Sequence, residues 1–95
     1  MLVQGIGKPE GCKLIRLSAD IAGDVIISIR IRGDFFASPP EAFDAAEARL
    51  VDIPVAEFAQ RFDCLMAEEG AELSGISGRG AALVLTAALG KTHGI

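Results

Sequence analysis

The spacing of apolar residues changes partway along this chain, and no other feature constrains its fold as strongly. Before Gly33, apolar and polar residues alternate, which is the two-residue period of a β-strand with one buried face. After Pro39, apolar residues recur every three or four positions, as on the buried face of a helix. Strands therefore come first and helices after them. This order predicts an α+β fold, in which a small antiparallel sheet of two to three strands has about three helices packed on one face.

The alternating part predicts a hairpin with one further strand before it. Residues 2–6 form a short candidate strand, and the hairpin joins strands 13–20 and 25–32 through Ala22-Gly23-Asp24. The apolar face of the hairpin consists of Ile15, Leu17 and Ala19 on its first strand and of Val25, Ile27, Ile29 and Ile31 on its second. Because the two alternations match, the register is well specified.

Two helices are predicted from their proline-containing starts. The first is capped by the Ser38 hydroxyl, with Pro39 in the first helical position and Glu41 completing a capping box. The second begins in the same way at Asp52-Ile53-Pro54 and ends at Gly70. Its apolar stripe, which we expect to enter the core, consists of Val55, Phe58, Phe62, Leu65 and Met66.

A third helix is predicted at residues 81–89, with Ser77 as its cap and Gly90 at its end. It is almost wholly apolar, which predicts burial on several sides. Residues 91–95 are expected to be a frayed tail, so that residues 1–90 form a single domain.

The composition limits the partners that this chain is expected to bind. Of its 95 residues 51% are apolar, a high share for so small a domain, which hints at a face that another protein covers. The net charge of −4 disfavours nucleic acid, and there is no polybasic stretch for a membrane surface. No apolar run approaches the ~20 residues of a membrane span. The start lacks the pattern of a signal peptide, so the cytoplasm is the expected location.

Few residues carry the chemistry that catalysis requires. His93 is the single histidine and lies near the end of the chain, so a hydrolytic triad is not expected. Cys12 and Cys64 are far apart in the sequence and lack histidine partners, so we expect free thiols and no metal site.

Three other patterns have both a chemical and a structural interpretation. Gly75–Gly80 loosely resembles a phosphate loop but lacks the Gly-Lys-Ser/Thr ending, which favours a capped, glycine-rich helix start. Asp34, Asp44 and Glu47 are candidates for paired carboxylates, although their positions favour solvated faces. Arg32-Gly33-Asp34 is the integrin-type tripeptide, and a strand end followed by a turn accounts for it more simply.

Gly33-Asp34-Phe35-Phe36 is the strongest candidate site in the sequence. Neighbouring side chains on extended backbone point in opposite directions, so one ring is expected to anchor the fold and the other to meet a partner. In the alternative, Gly33 adopts a positive φ, Asp34 forms a local turn and both rings are buried. We predict that Phe35 or Phe36, but not both, is substantially exposed.

These motifs, in this order, resemble the C-terminal accessory domain of lipoate–protein ligases over about residues 8–89. The matching elements are a turn with Lys8, Pro9, Gly11 and Lys13, then Leu14-Ile15-Arg16, Gly33-Asp34-Phe35-Phe36, Pro39 or Pro40 with Glu41, Glu47-Ala48-Arg49-Leu50, and Gly75-Ile76-Ser77 before an apolar helix. The Gly-Asp-Phe-Phe element is the most specific. The chain departs from the pattern at Glu10 and Cys12, where the family tends to glycine, and at Gly78-Arg79-Gly80, where acidic residues are usual.

The resemblance implies a supporting role without catalytic residues. In this family a larger catalytic domain binds lipoate and ATP with Mg²⁺, makes lipoyl-adenylate and transfers the lipoyl group to a lysine of an acceptor domain. The small domain supports adenylation and moves aside for transfer. The catalytic lysine belongs to the large domain, so no residue here inherits a catalytic role and this chain alone is expected to bind no cofactor.

A separate chain of 95 residues that begins with methionine suggests the split form of such a ligase. The resemblance then implies a heterodimer with the catalytic subunit and transient contact with lipoyl-acceptor domains. The implied partner interface is Gly33, Asp34, Phe35 and Phe36, and the turn with Lys8 and Lys13 is a candidate to face the active site.

Two other classes of function stay open. One is a stand-alone interaction or regulatory module with an unrelated partner, which would not be encoded beside a lipoate ligase catalytic domain. The other is a small enzyme that uses the helix start at Gly75–Gly80 for an anion, and it would bind phosphate or nucleotide there.

Overall fold

The strands form two separate sheets in the computed structural model, which describes the backbone of residues 1–93 and the side chains of residues 1–90. The main sheet contains β1 (Leu2–Gly7), β2 (Ile15–Ala22), β3 (Val25–Gly33) and β5 (Ile53–Pro54), in that spatial order and antiparallel throughout. The second sheet is a ribbon of two short antiparallel strands, β4 (Phe36–Ser38) and β6 (Glu72–Ser74).

Three helices complete the fold. They are α1 (Pro40–Ala48), α2 (Phe58–Glu69), which follows a 3-10 turn at Val55–Glu57, and α3 (Gly78–His93). The predicted α+β fold, with helices on one face of an antiparallel sheet, is confirmed. The short fourth strand and the ribbon are additions that the sequence pattern did not predict, because each has only two or three residues.

The hairpin of β2 and β3 contains a β-bulge that the alternation of the sequence hides. The register shifts between Asp20 and Ile21, because β3 carries one extra residue at Ile27. Ile26 before the bulge and Ile29 after it are both buried, whereas Ile27 is exposed. The prediction that Ile27 lies on the apolar face is therefore wrong. A bulge changes the face of every residue beyond it, and isoleucines on both sides conceal that change.

The two proline-containing segments begin as strands, so the predicted helix starts are wrong. Ser38 belongs to β4, and Pro39 is the N-cap residue of a helix that begins at Pro40 with no side-chain cap. Ile53-Pro54 pairs with β3, and the second α-helix begins only at Phe58. A residue before proline is held away from helical backbone, and in both segments it pairs in a sheet instead.

The second helix keeps its predicted face, whereas the third is buried on one side only, since Leu83, Thr86 and Ala87 are exposed, so its predicted burial on several sides is wrong. α2 ends at Gly70, as predicted. Its buried residues are Phe58, Phe62, Leu65 and Met66. α3 begins at Gly78 rather than at residue 81 and continues past Gly90. The frayed tail at residues 91–95 stays a prediction, because residues 94 and 95 lie outside the described part of the chain.

The helices cover one face of the main sheet and leave the other face open. The strands contribute Val3, Ile15, Leu17, Ala19, Ile21, Ile26, Ile29 and Ile31 to the core. The largest helical contributions come from Phe43, Phe58, Phe62 and Leu85. Each such side chain stabilises the fold by about 1.5–3 kcal/mol on burial. Within residues 1–93, no helix has the length and apolar character needed to cross a membrane.

Charge is divided between the sheet and the first two helices. Residues 1–39 contain five basic and four acidic residues, whereas residues 40–74 contain nine acidic and only two basic. Arg49 neutralises part of this acidic half, since Nη2 bonds Glu68 and Nη1 bonds Glu69, each at 3.0 Å. The hydrogen bond to Glu68, followed by that to Glu69, raises the pKa of Arg49 above its ordinary value.

Candidate functional site

The two adjacent phenylalanines have different environments. Phe35 is half-buried and packs against the core, with its ring centroid 5.4 Å from that of Phe43. Phe36 is 77% exposed, the most exposed of the large apolar side chains in residues 1–90. The prediction that one ring, but not both, is substantially exposed is confirmed. The alternative in which both rings are buried is excluded.

The backbone around Gly33 directs the two rings in opposite directions. A side chain at Gly33 would collide with the carbonyl group of Leu14, so this position requires glycine. The next residue, Asp34, donates its backbone N–H to the same Leu14 oxygen at 2.9 Å. The chain then enters β4, where Phe36 pairs with Ser74. Two contacts to one carbonyl group thus fix the point from which the exposed ring projects.

The turn that carries Lys8 and Lys13 lies at the same end of the molecule. The Cys12 N–H closes the turn on the carbonyl of Pro9 at 2.9 Å. Lys13 donates its N–H to the carbonyl of Gly75 at 2.8 Å, one residue after the ribbon partner of Phe36. The structure therefore brings Lys13 close to the Phe36 ribbon, and both lysines are exposed. Whether this turn faces an active site stays a prediction.

The glycine-rich segment before α3 is a capped helix start, as favoured from the sequence. The Ser77 Oγ accepts the Gly80 N–H at 3.0 Å, and the Asp63 Oδ1 accepts the Gly78 N–H at 2.9 Å. Asp63 lies on α2, so sequence reasoning missed it. It places a carboxylate beside the helix start, where the segment Gly78-Arg79-Gly80 contains no acidic residue of its own. A phosphate would have to compete for donors that are already bonded.

Packing explains why this segment needs its glycines. A Cβ at Gly80 would lie 2.5 Å from the Sγ of Cys12 and 3.7 Å from Pro9, so the lysine-bearing turn packs directly on the first turn of α3. Cys12 is half-buried by this contact, whereas Cys64 is exposed, and both are free thiols. Among residues 1–90, no three histidine, cysteine or acidic side chains come together as metal ligands would.

The three candidate carboxylates do not form a pair. Asp34 and Asp44 are exposed, as expected. Glu47 is not on a solvated face, since its side chain is only 12% exposed and its Oε2 accepts two hydrogen bonds. The donors are the Ile31 N–H at 2.8 Å and the Arg32 Nη1 at 2.9 Å. Glu47 therefore accepts a hydrogen bond from the part of the β3 edge that β5 does not pair with, a structural role that its place in the sequence does not reveal.

The open face of the sheet carries a cluster of arginines that sequence reasoning missed. Arg16 pairs with Arg32 across the hairpin, and Arg30 pairs with Ser18 on the next outward-facing rung. All three arginines are exposed and line a groove of about 600 Å³, together with Ile6 and part of α3. The signal was present, because the polar positions of both hairpin strands include these arginines. Only the register shows that they are neighbours.

Comparison with solved structures finds a clear likeness at the level of the fold. The chain is similar to one chain of a structure described as an archaeal lipoylation system, a bi-partite lipoate protein ligase and its E2 lipoyl domain from Thermoplasma acidophilum. The TM-score is 0.70 at 22% identity, and the match covers 90% of this chain and 94% of that one. Comparisons with known protein families and with curated proteins find no match. The fold that the sequence motifs resemble is thus the fold that the chain adopts.

Proposed function

We propose that this chain is the non-catalytic accessory subunit of a two-part lipoate–protein ligase. In this proposal it supports ATP-dependent formation of lipoyl-adenylate by a separate catalytic subunit, which binds lipoate, ATP and Mg²⁺. That subunit then transfers the lipoyl group to a lysine of an acceptor domain. The observation that carries the proposal is the fold likeness, because it spans nearly all of this chain and nearly all of one chain in a structure of a bi-partite ligase system.

The exposed phenylalanine supports a role in assembly. An aromatic side chain that is 77% exposed on a short, fixed strand loses little conformational freedom on binding, which suits an interface anchor. The neighbouring Phe35 and Gly33 hold this strand against the core. The Asp34 carboxylate is exposed beside it and has no hydrogen bond within residues 1–90. We therefore assign the partner interface to the segment Gly33–Phe36.

The proposed contribution to the reaction is closure of the partner's active site. An acyl-adenylate reacts readily with water, so a site that makes one gains from a cover during adenylation. The same cover must leave before an acceptor lysine can approach. This chain would act by position, with the exposed turn of Lys8 and Lys13 as the part that faces the active site.

The test separates the two half-reactions of the ligase. A candidate lipoate ligase catalytic subunit from the same organism is assayed with and without this chain, first for lipoate-dependent pyrophosphate release from ATP and then for transfer from preformed lipoyl-adenylate. We expect adenylation to require this chain and transfer to proceed without it. Equal adenylation by the catalytic subunit alone would exclude the accessory role.

Two further results would point elsewhere. Turnover of ATP and lipoate by this chain alone would contradict the absence of catalytic residues. A stand-alone module with an unrelated partner would change neither half-reaction and would form no complex with the catalytic subunit.

Phe36→Ala should reduce the stimulation of adenylation at subsaturating concentrations, whereas Leu83→Ala, which removes an apolar side chain 53% exposed on α3, should not.

A further inference from the structure

The Phe36 segment is too small to hold a partner by itself. A stable interface takes about 800 Å² from each protein, whereas one aromatic side chain buries only about 150–250 Å². This chain exposes 5553 Å² in all, so a partner anchored at Phe36 must cover about one-seventh of the whole surface. The remaining contact area has to come from surfaces that adjoin the exposed ring.

The open face of the main sheet lies within reach of that ring, because the four residues from Arg32 to Phe36 span at most about 14 Å. Arg32 is the last outward-facing residue of β3, and the chain passes directly from it through Gly33 to β4. Ile6, Arg16 and Arg32 form one rung across three strands, and Ile6 is 61% exposed. This rung, with Arg30 on the next, makes a surface of one apolar side chain among three guanidinium groups. We call this surface the arginine face, and it consists of Ile6, Arg16, Arg30 and Arg32.

The charges of the arginine face are only partly neutralised within the chain. Arg32 bonds Glu47, but Arg16 and Arg30 form no ion pair with any residue in 1–90. The acidic Asp20 at the far end of β2 is paired with the N-terminal amine at 3.2 Å. Asp20, Asp44 and Glu47 border the same face beside Arg30 and Arg32, so the charges that stay unpaired on it are those of Arg16 and Arg30.

We infer that the arginine face docks a carboxylate-bearing surface of the catalytic subunit, as an extension of the contact at Phe36; this inference rests on the proposed function. Arginine is enriched in interfaces because its planar group bonds carboxylates in pairs and also packs on apolar surface. The exposed Ile6 beside it gives the partner an apolar contact. Opposite charges would also steer the two subunits together before they dock.

A second copy of this chain is a weaker occupant. Its acidic α1 and α2 could meet the arginine face in a head-to-tail contact, which generates a ring or an open filament of subunits. That contact would leave Phe36 without a partner.

The test compares two charge reversals of equal size. Arg16→Glu alters the arginine face, and Arg61→Glu alters an exposed arginine on α2. Association with the catalytic subunit is followed by stopped-flow kinetics at several salt concentrations, and folding of each variant is checked by thermal melting. We expect the first variant to bind about tenfold more weakly or worse, chiefly through slower association, with a deficit that shrinks as salt rises.

The control variant should bind like the wild type. Equal losses in both variants, or no loss in the first, would overturn the inference while leaving the proposed function intact. Failure of the wild-type chain to bind the catalytic subunit would overturn both. Self-association that is abolished by the first charge reversal alone would assign the arginine face to a second copy instead. Binding of inorganic phosphate or ATP to the free chain, lost in the same variant, would assign it to a small anion.

Discussion

Gly33–Phe36 and Gly75–Gly80 are alike in one respect, since each has at least one glycine next to side-chain or backbone groups that a ligand could bind. In the structure they differ in what those groups contact. The second segment uses its donors internally, on Ser77 and Asp63, and its glycine at 80 makes room for Cys12. The first uses its glycine to hold one ring against the core and leaves the other exposed. A candidate site is therefore recognised by groups that remain without a partner, and glycines alone do not mark it.

The largest effect is expected from Gly33→Ala. The new methyl group would collide with the Leu14 carbonyl, which also accepts the Asp34 N–H. The end of β3 and the segment after it must therefore move away from Leu14. We expect the free energy of unfolding to fall by about 3 kcal/mol. Urea denaturation followed by circular dichroism measures this change.

Gly90→Ala is the matched control for that substitution. Gly90 lies in α3 with no atom near its added methyl group, so alanine should leave stability unchanged or raise it by up to about 1 kcal/mol. A Gly33→Ala protein as stable as wild type would mean that the segment is not fixed by this contact. The contrast between the two glycine segments would then lose its basis.

The next effect is on binding and should separate the two rings. Phe36→Ala removes an exposed ring, so we expect little change in stability and a loss of about 2 kcal/mol in affinity for the catalytic subunit, roughly thirtyfold. Phe35→Ala removes the ring that packs on Phe43, and its main effect should be a lower melting temperature. Isothermal titration calorimetry and thermal melting measure the two quantities on the same samples.

Leu83→Ala serves as the control for loss of an exposed apolar side chain. It should change neither affinity nor stability appreciably, because Leu83 is exposed and belongs to α3 rather than to the ribbon. If Phe36→Ala and Leu83→Ala bind alike, the exposed ring is not an interface anchor.

The sequence predicted the features that depend on long regular patterns. Alternation in β2 and the stripe of α2 gave the main elements and most of the core. Prediction from the sequence failed where one extra residue determines which side of a strand is buried, or where a pairing of two or three residues determines where a helix begins. The extra residue at Ile27 leaves no mark in a run of isoleucines, and the proline-containing helix starts look identical whether or not the preceding residues pair as strands.

The candidate site was predictable to a similar extent. That one of two adjacent rings must be exposed follows from strand geometry, and so it could be stated from the sequence. Which ring it is depends on how Gly33 meets Leu14, a contact between residues nineteen positions apart. The roles of Asp63 and Glu47, and the neighbouring positions of Arg16 and Arg32, also arise only when distant elements pack together.

A smaller loss of stability is expected when the helix start is crowded. In Gly80→Ala the methyl group would lie 2.5 Å from the Cys12 Sγ, so the turn must shift, and we expect a loss of about 2 kcal/mol in unfolding free energy. In a Cys12→Ala background the same substitution should be less costly, because the colliding sulfur is absent. A double-mutant cycle measures this coupling. Additive effects would show that Gly80 is not required by packing against Cys12.

The smallest expected effect tests whether the start of α3 is closed to anions. Ser77→Ala removes the acceptor of the Gly80 N–H, which should lower the unfolding free energy by about 1 kcal/mol, the usual effect of losing an N-cap. Ser74→Ala, at an exposed ribbon position, is the control and should have little effect. Because Asp63 still accepts the Gly78 N–H and keeps a negative charge beside the helix start, phosphate should not stabilise the variant. Thermal melts with and without inorganic phosphate decide this. A phosphate-dependent rise in the melting temperature that persists in the Arg16→Glu variant would make Gly75–Gly80 a candidate anion site again, and the two glycine segments would then no longer differ in having groups available to a ligand.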